Sequence, residues 1–265
     1  MQYGMPTLIE LNGLEENMKF CKSLGLDFVE LNMNVPDYQI EALESMNIRS
    51  LKEKYGVEMT MHLPENFYFA DFNESMRGAA YAVFDKVASF AIENDIKILN
   101  MHMHVGTFFK MPHKKIYLQE AYLETYLNHV RAFVNKIDAC LKGTNIRVCV
   151  ENACDFHHDF IQAGLDELLK SDHVFLTWDT GHNAKGKYKD QVVLFGKANR
   201  IGHVHLHDCA FGSDHLPLGT GEICIDSVMN KLSEVCQSIV LEAKTIEGVR
   251  KSMIHLDVRD KQIAV

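Results

Sequence analysis

The stretch GHVHLHDCAFGSDHLPLGTGE, residues 202–222, decides how the chain is read. His203, His205 and His207 alternate with Val204 and Leu206. In a β-strand that spacing sends three imidazoles to one face and the aliphatic side chains to the other. Asp208 ends the run, a loop containing Gly212 follows, and His215 and Gly219-Thr220-Gly221 come after it. Imidazole is the commonest side-chain metal ligand. A polar strand face of hydrogen-bonded histidines explains this run equally well on its own. The balance shifts because the same event recurs at the ends of other strands.

Outward from that run, strands and helices alternate along the whole chain. Strand patterns fall at 7–10, 27–34, 57–62, 97–104, 147–151, 174–179, 201–207 and 238–242. Helical spacing fills 14–24, 39–55, 74–94, 115–141, 160–170, 188–198, 225–235 and 246–257. Eight units of roughly 30 residues have the size of βα crossovers. The expected fold is therefore α/β, a (β/α)₈ TIM barrel forming a single domain over residues 1–265. An open dinucleotide-binding sheet would carry GxGxxG after its first strand, and the sequence has none there.

Composition narrows the function classes. A net charge of −9 disfavours a long contact with nucleic-acid phosphates, which relies on Lys and Arg clusters. No apolar run approaches the roughly 20 residues needed to span a bilayer. The N-terminal residues lack a basic region followed by a long apolar core, so they do not read as a signal peptide. Seven cysteines without CxxC spacing read as reduced thiols, which points to a cytoplasmic protein. Oligomeric state is not legible.

Active sites of such barrels gather at the C-terminal ends of the strands. There the inward-facing residues are polar in succession: Glu30 to Asn34, His62, His104, Glu151, Asp179, His205 and Glu242. Burying these unpaired is costly. A divalent cation removes the cost, because carboxylates and neutral imidazoles are its ligands. By the same alternation His102 lies one layer deeper, His203 and His207 hydrogen-bond around His205, and Trp178 points outward to the helices. Phe67, Tyr68 and Phe69 form either a wall over a ligand or ordinary packing.

These residues carry a resemblance. VELNMN at 29–34, MHLP at 61–64, HVG at 104–106, VEN at 150–152, WDTGHNA at 178–184, HVHLHD at 203–208, HLPLGTGEI at 215–223 and LEAK at 241–244 span nearly the whole chain. In order and position they resemble the xylose isomerase-like barrels, a superfamily that includes sugar epimerases, inosose-type isomerases and endonuclease IV. The resemblance to its sugar-active members implies one divalent metal, Mn²⁺ or Zn²⁺ with Mg²⁺ or Co²⁺ as alternatives, on Glu151, Asp179, His205 and Glu242. It further implies Glu151 and Glu242 as acid and base, with His182 touching substrate. The expected activity is a metal-dependent sugar or polyol isomerase or epimerase, moving a proton α to a carbonyl through an enediolate.

The rival is an endonuclease IV-like zinc phosphodiesterase acting on abasic-site DNA. Its cluster would add His62, His104, His182 and His215 to the ligand set. The sequence departs from that pattern: Ser213 stands where the nuclease has an aspartate ligand, HVG replaces HPG, and DTGH replaces DTCH. A non-catalytic metal- or ligand-binding barrel is the remaining reading, since fold does not fix function.

Overall fold

The computed structural model describes residues 1–236 and 238–263; Gln237 and the last two positions of the expected domain lie outside the described residues. The described residues form twelve strands in chain order: β1 Gln2–Pro6, β2 Phe28–Asn32, β3 Glu58–His62, β4 Ile98–His102, β5 Phe108–Lys110, β6 Lys115–Tyr117, β7 Arg147–Glu151, β8 Val174–Asp179, β9 Ile201–Leu206, β10 Asp208–Ala210, β11 Ser213–Leu216 and β12 Ser238–Leu241. Eight of them close a parallel barrel in the order β1-β12-β9-β8-β7-β4-β3-β2, with helices between. The expected TIM barrel is what the chain forms. The other four make two antiparallel hairpins, β5–β6 and β10–β11, on the loops that follow β4 and β9.

Alternation places the chemistry. Along β9, Val204 and Leu206 are buried among the hydrophobic residues, while His203 and His205 occupy the opposite face. Parallel register then sets neighbours side by side: Asp179 pairs with His205, and His102 with Glu151. No helix among the described residues is long and apolar enough to cross a membrane.

Several boundaries differ from the sequence reading. The first strand is β1, Gln2–Pro6, rather than residues 7–10. Gly4 and Pro6 disguise it, yet a Cβ at Gly4 would collide with the Phe28 ring that fills its place. The helix expected over 39–55 is broken in two, Ile40–Leu43 and Ile48–Tyr55, because Asn47 caps the second piece by accepting a hydrogen bond from Ser50 N. The expected helix over 115–141 begins as β6 and becomes the long helix Leu123–Leu141. The one expected over 188–198 is short, Gln191–Gly196, behind a further turn of helix at Thr180–Lys185. Phe67 and Phe69 are core residues, Phe69 stacking on Phe133 at 4.3 Å, so they form no wall over the barrel mouth.

Candidate metal centre and active site

The strand ends bring three carboxylates together around one imidazole nitrogen. His205 Nδ1 stands 3.2 Å from Glu151 Oε2, 3.2 Å from Glu242 Oε2 and 3.9 Å from Asp179 Oδ2. Each of the four residues is at most 5 % exposed. His182 lies against the same carboxylates, its Nδ1 3.3 Å from Glu151 Oε1 and 3.5 Å from Asp179 Oδ2. It is placed there by the turn of helix that Asp179 caps, with Asp179 Oδ1 accepting the His182 backbone N–H. His215 arrives from β11, its Nδ1 3.6 Å from Glu242 Oε2.

A second cluster adjoins the first through Glu151. His62 Nε2 and His102 Nε2 each lie 3.4 Å from Glu151 Oε2. His62 Nδ1 is 2.8 Å from Leu63 O, which accepts its hydrogen and leaves the Nε2 lone pair facing the carboxylate. Asn100 Nδ2 donates to the same Glu151 oxygen, and Thr177 Oγ1 in turn donates to Asn100 Oδ1. His102 is thus not a mere deeper layer, because register pairs it with Glu151. His104 lies past the end of β4, with its ring edge-on to Tyr68 at 6.0 Å.

The electrostatics ask for positive charge. Burial acts to raise the Glu151 carboxyl, yet His205 and His102 hold it well below the usual carboxylate range. Glu242 is likewise lowered against its burial, by His205 and Lys244, whose ammonium donates to Glu242 Oε1 at 2.6 Å. Against their own burial, His102 is pushed up to about 10, mainly by Glu151 and Glu65, and His182 to about 9 by Asp179 and Glu151. Burial instead pushes His215 down to about 4. His205 Nδ1, His182 Nδ1, His102 Nε2, His215 Nδ1 and Glu242 Oε2 are all buried without a hydrogen-bond partner. Buried ring nitrogens and a carboxylate oxygen without partners, converging on carboxylates, fit a divalent cation that would replace the protons the raised histidines otherwise carry.

Some contributors escaped the sequence reading. Lys244 sits two residues beyond Glu242, outside β12, and only its place in LEAK hinted at it. Asn152, next to Glu151, brackets the Asp179 backbone: its Oδ1 accepts from Asp179 N at 2.8 Å and its Nδ2 donates to Asp179 O at 3.1 Å. Trp178 faces outward as expected, edge-on to Phe195.

Comparison with known proteins agrees with this architecture. No curated protein matches the chain significantly in sequence. Among solved structures, a D-tagatose 3-epimerase-like protein superposes with a TM-score of 0.79 at 23% identity, covering 100% of this chain and 98% of its own. A zinc-bound IolI protein gives 0.75 at 15%, covering 98% and 99%. The Escherichia coli 3-keto-D-glucoside 4-epimerase gives 0.72 at 14%, covering 97% and 98%. A profile of the xylose isomerase-like TIM barrels matches residues 18–257, and the chain belongs to that family.

Proposed function

We propose that the protein is a divalent-metal-dependent isomerase or epimerase of a sugar or polyol. One observation carries the reading: three buried carboxylates, Glu151, Asp179 and Glu242, converge on His205 Nδ1 at the functional end of the barrel. These four would hold the ion, Mn²⁺ or Zn²⁺ by donor type, with Mg²⁺ or Co²⁺ as alternatives. When bound, such an ion polarises a carbonyl and acidifies the proton beside it. The remaining chemistry belongs to the side chains. Glu151 and Glu242 face each other across one imidazole, so one can take the α-proton and the other return it to the opposite face. His182, near Glu151 Oε1, donates to a substrate hydroxyl, and Lys244 keeps Glu242 ionised. The D-tagatose 3-epimerase-like and 3-keto-D-glucoside 4-epimerase structures support a small sugar-like substrate.

A second ion is proposed where the lone pairs of His62 and His102 meet Glu151. Two imidazoles and a shared carboxylate form a nitrogen-rich site suited to Zn²⁺. This cluster, with His182 and His215 nearby, is also the observation that favours the second reading, an endonuclease IV-like phosphodiesterase.

Incubating metal-loaded protein with a panel of ketoses and inososes in D₂O separates the readings. Proton transfer through an enediolate leaves deuterium at the isomerised carbon. A phosphodiesterase leaves every sugar unlabelled and cuts abasic-site duplex, with cutting weakened steeply by salt. Unlabelled sugars would refute the isomerase, and a non-catalytic barrel would show neither activity while still being stabilised by its ligand.

A further inference from the structure

Beneath the four converging groups lies a buried layer that the proposed reaction does not use. Glu30, on β2, is 2 % exposed. Its Oε1 stands 2.8 Å from His205 Nε2, a close approach off the line of a good hydrogen bond. Its Oε2 accepts hydrogen bonds from Thr60 Oγ1 at 2.9 Å and from His203 Nε2 at 3.1 Å. His203 Nδ1 is 2.9 Å from Ser238 Oγ, so the hydroxyl donates to it while Nε2 keeps its hydrogen for Glu30. Thr60, His203 and His205 thus surround a carboxylate that acts purely as an acceptor.

The consequence falls on His205. A carboxylate oxygen 2.8 Å from an imidazole nitrogen attracts it only when that nitrogen bears a hydrogen. With a cation at Nδ1, His205 Nε2 therefore keeps the one ring hydrogen, toward Glu30, and Nδ1 offers its lone pair among Glu151, Asp179 and Glu242. Partners of this kind fix the tautomer of a metal-binding histidine and raise its basicity. We propose that Glu30, braced by His203, Thr60 and Ser238, is a positioning residue for cation uptake. It selects the His205 tautomer that faces the ion and places one more negative charge beneath the three carboxylates. The inference rests on the proposed cation site, and the ligand is a borderline divalent cation such as Zn²⁺.

The test strips the protein with a chelator and titrates Zn²⁺ against a chromophoric competitor for wild type, Glu30→Gln and His203→Gln. Glutamine keeps the size of Glu30 but removes its charge and one of its two acceptor oxygens. Glu30→Gln is expected to bind Zn²⁺ about 10–100-fold more weakly, and His203→Gln to weaken it by less. In proton–nitrogen correlation spectra of the Zn²⁺-loaded protein, the His205 Nε2–H resonance should move upfield in Glu30→Gln, a change that general loosening of the fold would not confine to one ring. Wild-type affinity in a folded Glu30→Gln protein would overturn the inference alone. Should Glu30→Gln not fold, wild-type affinity in His203→Gln overturns it equally. Wild-type protein that takes up no Zn²⁺ would remove the proposed function, and this inference with it.

Discussion

His207 donates its Nε2–H to Asp179 Oδ2 at 3.0 Å, and so reaches a proposed metal ligand without facing the ion itself. The backbone N–H of His215 donates to His207 Nδ1 at 2.8 Å, which leaves the ring hydrogen on Nε2; the longer 3.3 Å approach of Nδ1 to Asp208 O is secondary. The ring also occupies the space above Gly181, where a Cβ would collide with it. Glycine in DTGH is thus the counterpart of a histidine two residues beyond His205.

Gly181→Ala should therefore act through His207. Displacing the ring removes the hydrogen bond that orients Asp179, and losing such an outer partner weakens metal binding by about 10–100-fold. Circular dichroism should show an intact barrel while Zn²⁺ or Mn²⁺ titration shows the loss. Unchanged affinity would mean that the ring finds another way to hold Asp179.

Glu242→Gln should lower both metal affinity and turnover. Glu242 lies next to the His205 nitrogen and also accepts from Lys244, so the amide loses a ligand oxygen and a proton carrier together. Proton-transfer groups contribute about 10²–10⁴-fold, so deuterium uptake should fall by at least that range with little change in fold. Full metal content with full activity in this variant would show that the assignment is wrong.

Metal analysis of protein purified without chelator tests the second ion. Two ions per chain are expected in wild type, falling to one in His62→Ala or His102→Ala. His104→Ala should leave two, because the His104 ring faces Tyr68 while His102 faces Glu151. A wild-type content of one removes the second site, and loss of an ion in His104→Ala would restore the ligand set expected from sequence.

What was legible in the sequence depended on how local the signal was. Glu151, Asp179, His205 and Glu242 were readable because each stands at or next to the end of an alternating strand, and strand ends meet in any parallel barrel. That His102 lies against Glu151 was not, since it depends on the register of β4 against β7, partners far apart in the chain. β1 was hidden by Gly4 and Pro6, whose fitness for a strand shows only against Phe28 and β12. The tautomers of His62 and His207 depend on backbone groups brought close by folding, Leu63 O and His215 N.

The last prediction concerns stability away from the metal ligands. Asp155, on the loop after β7, has its carboxyl raised to about 6, by burial first and then by the negative charge of Asp190, with His157 and Lys115 opposing. Asp190 is itself buried and already paired with His157, at 3.1 Å from its Nδ1. The folded protein therefore binds more protons than the unfolded chain between the ordinary aspartate value, 3.8, and about 6. Stability then falls as pH rises through that window, and the cost is complete above it. Asp155→Asn removes the charge and should stabilise the protein at pH 8 by on the order of 1 kcal/mol, a figure discounted for the carboxyl's partial exposure. That corresponds to a rise in Tm of about 2–4 °C. The gain should shrink as the pH is lowered and vanish below about pH 3, where Asp155 is protonated in both states. Thermal unfolding of the two proteins across this range decides it: a gain independent of pH would show that the benefit comes from packing or a new hydrogen bond rather than from the buried charge.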